Sequence, residues 1–209
     1  MVRINIKFIY ERSWWQNLFL VLVGVFLVSF GSAVNFCAGL GNDPVSVLFN
    51  GISSKFGISL GTAANFFNVF FFIVAFIFGK KFLGLGTFLY VLCSGRFIDL
   101  FVFVYRTLIP WQNLPVRILS ALIGCFVMLF GVVLMVVSTL GIDVWTASAM
   151  ALSNFFKLDY KKFKIFFDGI VCFLGFILGG TVGVITLFLV IVGGPFVKVM
   201  SKKLEKTFL

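Results

Sequence analysis

Residues 18–56 read LFLVLVGVFLVSFGSAVNFCA followed by GLGNDPVSVLFNGISSKF, and this stretch decides the fold. From Leu18 to Ala38 the chain is nearly all apolar, long enough to cross a hydrocarbon core of ~30 Å. Leu40-Gly41-Asn42-Asp43-Pro44 then reads as a turn and a helix start. Asp43 suits the N-cap and Pro44 the first helical position. The helix that follows, to about Phe56, covers only about 21 Å, too short to cross upright. A full span followed by a short broken helix is therefore the unit from which the rest is read.

That unit recurs. Shifted by 100 residues, the chain matches itself: Gly24 with Gly124, Phe30-Gly31 with Phe130-Gly131, Leu40-Gly41 with Leu140-Gly141, Asp43 with Asp143. The match continues through Ser53 and Ser153, Phe66-Phe67 and Phe166-Phe167, and Gly79 and Gly179. After a one-residue deletion it pairs Gly84 with Gly183, Thr87 with Thr186 and Gly95 with Gly194. An internal repeat of this kind is read before anything else. Further spans fall at about 60–78, 83–105, 118–137, 165–178 and 184–199, with a second short helix from Asp143 to about Phe156. Leu18–Ala38 is read as the first of these spans and not as a signal peptide, because it is too long for an h-region and more spans follow.

The predicted organisation is a basic, cytoplasmic N-terminus (1–14), membrane repeat 1 (15–106), a connecting loop (107–117) with Pro110 and Trp111, membrane repeat 2 (118–200) and a basic, cytoplasmic tail (201–209). If each short helix re-enters, a repeat has three crossings and the halves are inverted, the plan of many secondary transporters. If each crosses, there are eight crossings and parallel halves. Helix length favours six crossings. The fold class is thus an all-α polytopic membrane protein with two repeats, inverted.

Composition agrees. Of 209 residues, 61% are apolar and 11% charged, with a mean hydropathy of +1.16. A soluble domain of this size could not hide that much apolar surface. The net charge of +10 collects in short loops and at the termini, as the positive-inside rule requires; nucleic acid is not expected as a partner. Trp14 and Trp15 suit an interfacial anchor. Histidine is absent, so no His-ligated metal or His base exists. Cys37, Cys93, Cys125 and Cys172 lie in apolar stretches without a C-x-x-C pair and read as small hydrophobes.

The ordered motifs carry a family resemblance. They are Leu40-Gly41-x-Asp43-Pro44, Gly57-Ile58-Ser59-x-Gly61-Thr62-Ala63, Gly84-x-Gly86-Thr87 and Gly95-x-Phe97-Ile98-Asp99-Leu100-Phe101. The second half adds Leu140-Gly141-x-Asp143, Leu178-Gly179-Gly180-x-Val182-Gly183-x-x-Thr186 and Gly194-Pro195. The set resembles the YczE/YyaS/YitT family of bacterial integral membrane proteins, over nearly the whole chain. The resemblance implies a multi-pass protein of the cytoplasmic membrane, of undefined molecular activity, for which transport is often supposed. Arg96, Lys198 and the missing Pro after Asp143 depart from the family pattern.

Charges at membrane depth need a reason. Arg96 and Asp99, at i and i+3, share a helix face and read as a self-neutralising pair. Lys198 snorkels. Asp168, whose repeat counterpart is Asn68, either pairs with Lys164 or faces an interior polar site. Asp43 and Asp143 are helix caps that, at broken-helix starts, would also favour a cation or proton, while the helix N-termini favour an anion. Asn42, Asn65 and Asn68 either bond a ligand or another helix, and Trp145 is a pocket wall or an interface anchor. The candidate substrate or ion site is Asp43, Asp143, Asp168, Asn68, Arg96, Asp99 and Trp145. No catalytic set, metal site or cofactor is expected. The expected function is a small-molecule or ion transporter, or the membrane subunit of one, working in the lipid bilayer. The alternative is a non-transporting membrane protein that assists a partner complex. A homo-oligomer or partner subunit stays open.

Overall fold

The computed structural model describes residues 13–108 and 113–207. Arg3, Lys7, Glu11 and Arg12 of the basic head, and Pro110 and Trp111 of the connection, lie outside the described residues, as do the side chains of Glu205 and Lys206. Within them the chain is helical: α1 (Trp14–Ala38), α2 (Pro44–Phe56), α3 (Leu60–Gly79), a short 3-10 turn (Lys80–Phe82), α4 (Leu85–Leu108), α5 (Leu114–Val137), α6 (Val144–Phe155), α7 (Tyr160–Ile177) and α8 (Val184–Thr207). Five of these helices (α1, α3 with its 3-10 turn, α4, α5 and α8) are long and apolar enough to cross a membrane. α7 is not among them, because its 18 residues include Lys161, Lys162, Lys164 and Asp168.

Local chemistry sets the ends. Ser13 and Gln16 form a capping box on α1, and Asp43, Ser59, Asp143 and Asp159 cap α2, α3, α6 and α7 through the backbone N–H three residues on. Each such cap is worth about 1 kcal/mol. α1 and α2 end on left-handed Gly39 (φ 62°) and Gly57 (φ 65°). At the positions matched in the second half, Thr139 (φ 60°) and Lys157 (φ 54°) hold the same left-handed backbone without being glycine.

Several expected boundaries move outward. α4 runs to Leu108 and α5 starts at Leu114, each beyond the apolar run expected for it. α7 begins at Tyr160, so Lys161, Lys162 and Lys164 are helical and not a loop. α8 runs on to Thr207, so the tail continues the helix. Hydropathy marks where a helix is apolar, whereas hydrogen bonding carries it on into polar sequence.

α1 and α5 form the centre. A Cβ on Gly24 would meet the carbonyl of Gly131, and one on Gly31 the carbonyl of Gly124. Rising numbers on one helix meet falling numbers on the other, so the two cross antiparallel with backbones touching. α4 lies beside α1 and runs with it, through the edge-to-face pairs Phe26–Phe97, Phe30–Phe101 and Phe30–Tyr105. α3 runs back against α4: Gly61 meets Gly95, and Phe72 meets Phe88.

The short helices cross between the halves. α2 packs on α7 through Gly51 and Gly175, and α6 packs on α3 through Gly79 and Ala151. α2 does not carry on from α1. Asn42 Nδ2 donates to the Ser32 carbonyl at 3.0 Å, and the Ser32 and Ser46 hydroxyls are 3.0 Å apart. After Ala38 the chain thus turns back by about 9 Å before α2 begins.

The two turns are held alike. Gly86 N–H donates to Leu140 O at 2.9 Å and Ile185 N–H to Leu40 O at 3.2 Å. Thr87 Oγ1 donates to Ile142 O at 2.7 Å, and Thr186 Oγ1 accepts from Asn42 N–H at 3.1 Å. Gly41 (φ 104°) and Gly141 (φ 133°) supply the backbone these turns need. One seam is different. A Cβ on Gly95 would meet Gly61 and Asn65, but one on Gly194, its match, or on Gly169 would meet no other part of the chain within 4 Å; α7 and α8 stand apart where α3 and α4 are closed.

Contacts also sort the charges. Val21 meets Gly86, Gly79 meets Ala151, and Val137 packs with Leu204. These pairs gather the start of α1 and the ends of α3, α5, α6 and α8 at one end of the bundle. Lys80, Lys81, Lys157, Lys161, Lys162, Lys198, Lys202 and Lys203 lie toward that end, and Lys55, Arg106 and Arg117 toward the other.

Candidate functional site

Asp168 is the centre of the polar group that the fold assembles. Its Oδ1 accepts from Lys164 Nζ at 2.6 Å and from Trp145 Nε1 at 2.9 Å. The Lys164 and Asp168 side chains are each 23% exposed. α7 places Lys164 one turn before Asp168, the favourable i, i+4 spacing, so the expected pair forms. α6 brings Trp145 from the other short helix. Its ring stacks on Phe167 (4.4 Å between centroids, 12°) and meets Phe71 edge-on at 4.5 Å. Lys164 Nζ lies 5.3 Å from the same ring, a cation–π distance. Trp145 is buried between Phe71 and Phe167. Ser148 Oγ, one turn on, bonds Phe71 O at 2.7 Å and fixes α6 against α3.

The two capping carboxylates flank this group. Asp43 Oδ2 accepts from Ser46 N–H at 3.2 Å and Asp143 Oδ1 from Thr146 N–H at 2.9 Å. Asp43 lies within electrostatic range of Lys164 and Asp168. Tyr90 on α4 lies within range of both Asp43 and Asp143, and Tyr160 within range of Asp143 and Asp168. Lys164, Asp168 and Trp145 are thus in contact, while Asp43 is related to Lys164 and Asp168, and Asp143 to Tyr90 and Tyr160, only at longer electrostatic range. Sequence reading missed Tyr90 and Tyr160. Tyr90 sits in an apolar span and Tyr160 in a lysine-rich helix start; neither carries a local signal, and only the packing of α4 and α7 near the broken-helix starts selects them.

The other expected site residues lie apart. Asn68 Nδ2 donates to Ser94 Oγ at 2.9 Å and ties α3 to α4. Asn42 is spent on Ser32, and Asn65 Oδ1 is buried without a partner among the described residues. Arg96 and Asp99 do not form the expected pair. Asp99 turns to the start of α3, where Oδ1 accepts from Gly61 N–H at 2.7 Å and Oδ2 from Ser59 Oγ at 2.6 Å. Two short bonds at a helix N-terminus outcompete one flexible cation three residues away. Arg96 is exposed at the middle of α4, and Lys198 is exposed in the second half of α8. The four cysteines are free, Cys125 buried and the others partly so, and no group of three or more metal-ligating side chains occurs among the described residues.

Five membrane-capable helices and an interior polar group define a multi-pass integral membrane protein. More specifically, the chain belongs to a family of unknown function, DUF6198, which matches residues 15–202. Among its relatives is the uncharacterized protein YyaS of Bacillus subtilis, 29% identical over 200 residues, or 90% of this chain and 93% of that protein. An uncharacterized protein of Haemophilus influenzae is 27% identical over 173 residues, covering 83% and 78% of the two chains. These relatives bear out the resemblance read from the motifs. No solved structure matches this chain.

Proposed function

We propose that the protein is a transporter of a small molecule or ion, built as an inverted repeat, with its site at Asp43, Asp143, Lys164, Asp168 and Trp145. The carrying observation is the pair of interior helix starts, Asp43–α2 and Asp143–α6, that flank the Lys164–Asp168–Trp145 group. Interrupted helices whose ends face a polar site between halves are the usual transporter solution. The inverted plan is supported by the antiparallel crossing of α1 on α5, whose sequences match at an offset of 100. The matched turns at Leu40 and Leu140 and the matched left-handed residues support it too.

On this plan α7 adds a sixth crossing to those of α1, α3, α4, α5 and α8, with its lysine-rich first turns at the basic end of the bundle, and α2 and α6 re-enter. The basic end faces the cytoplasm by the positive-inside rule, with both termini inside. The difference between the closed α3–α4 pair and the open α7–α8 pair supports a device whose halves adopt unlike arrangements in turn. The reading needs no chemical step and no cofactor.

The test is solute exchange. Proteoliposomes holding the full chain are incubated with a small-molecule extract of bacterial cells, and their contents are compared by mass spectrometry with those of empty liposomes. At least one solute accumulates with the wild type, and Asp168→Asn or Asp143→Asn cuts its rate by about tenfold, equivalent to ~1.4 kcal/mol. Unchanged flux in both variants removes the site. No solute above the empty-liposome level removes transport.

A further inference from the structure

A second polar place lies at the end of the bundle that holds Lys55, Arg106 and Arg117, away from Asp168. A cavity of about 500 Å³ opens there among the ends of α1 to α4. Phe36, Leu60 and Phe103 give it apolar walls, and Asp99 and Arg106 give it charge. This size, with mostly apolar walls and a few fixed polar groups, is that of a small-molecule pocket.

The two charges face one space without neutralising each other. They are seven residues apart on α4, about 10 Å along its axis, and among the described residues no ion pair joins them. The Arg106 guanidinium sits over the Phe36 ring at 5.4 Å. Asp99 is held by Gly61 and Ser59, which uses about two of the roughly four acceptor positions of a carboxylate. Helix capping alone does not call for this carboxylate. α7 starts from Asp159, at the position matched to Ser59, and caps itself, while Lys198 stands where Asp99 would be matched. The start of α3 is already filled and is not itself the site; the site is the apolar space between the carboxylate and the guanidinium.

We propose that this cavity binds a small zwitterion, its ammonium group on Asp99, its anionic group on Arg106, and an apolar body against Phe36 and Phe103. This site is separate from the one proposed for transport, and its test measures binding without flux.

The probe is radiolabelled 6-aminohexanoate, in equilibrium dialysis against the full chain in lipid nanodiscs. Saturable binding at one site is expected. Hexylamine and hexanoate, each with a single charge, compete about tenfold more weakly, or ~1.4 kcal/mol. Arg106→Gln weakens binding by about the same factor, Arg106→Lys restores part of it, and both keep the unfolding midpoint of the parent. Asp99→Asn has the same effect on binding, read only if its own midpoint is held. Absence of saturable binding overturns the proposal. So does binding that Arg106→Gln leaves unchanged, or hexylamine or hexanoate competing as well as the zwitterion.

Discussion

Neutralising Asp168 tests the geometry of the central group most directly. Lys164 Nζ at 2.6 Å and Trp145 Nε1 at 2.9 Å converge on one oxygen, Oδ1. A fully buried ion pair that loses one partner costs about 3–5 kcal/mol, and an exposed pair about 0–1 kcal/mol. With both side chains 23% exposed, the cost of Asp168→Asn falls between these limits, at about 2 kcal/mol. The Trp145 ring, 5.3 Å from Nζ, offsets part of the loss by cation–π attraction worth ~0.5–1 kcal/mol. Lys164→Gln leaves the carboxylate with the indole N–H alone and costs about the same. The double variant leaves no orphaned charge, so the cycle shows a coupling of about 1–2 kcal/mol. The assay is unfolding of the full chain in detergent, followed by tryptophan emission, since Trp145 stands in the group itself. Additive losses, with a coupling under about 0.3 kcal/mol, would refute the pairing.

Three further outcomes are expected. Thr139 holds a left-handed backbone that its branched side chain disfavours; Thr139→Gly therefore stabilises by about 1 kcal/mol, the relief of ~1–3 kcal/mol less the flexibility cost of glycine, read as a raised unfolding midpoint. Gly31→Ala drives a methyl group onto the Gly124 carbonyl; α1 and α5 must part, at about 1–3 kcal/mol, whereas Gly169→Ala, with open space around it, shows no such loss in the same melt. Arg117 Nε donates to Ala38 O at 2.6 Å and Nη2 to Gly39 O at 3.3 Å; Arg117→Gln leaves the end of α1 under-bonded, and amide exchange near Asn35–Gly39 quickens, for a loss of about 1–2 kcal/mol.

What could be read from the chain was local. The caps at Asp43 and Asp143 follow from a side chain meeting an N–H three residues on, and Gly57 from the need for a left-handed ending. Lys164–Asp168 was open to reading for the same reason, as an i, i+4 pair. The Trp145–Asp168 bond was not, because it joins α6 to α7, and no spacing rule reports it. Arg96–Asp99 misled because the helix-face rule sees only one helix. The competing donors, Ser59 and Gly61, come from α3, some 40 residues earlier. Apolar runs located the spans, but α7 and α8 outlast their apolar stretches, since lysines extend a helix into water at no hydrogen-bonding cost.

The turn at Leu40 has a consequence for how the protein is made. Its carbonyl and the Asn42 N–H are satisfied by Ile185 and Thr186, at the start of α8. At ~5–20 residues per second, ribosomes reach that helix about 7–30 s after Leu40 is added. Through that interval the first broken helix has its own cap and its ties to Ser32 of α1, but the Leu40 carbonyl and the Asn42 N–H stay unmatched until α8 is made. A segment made 144 residues later thus completes this turn.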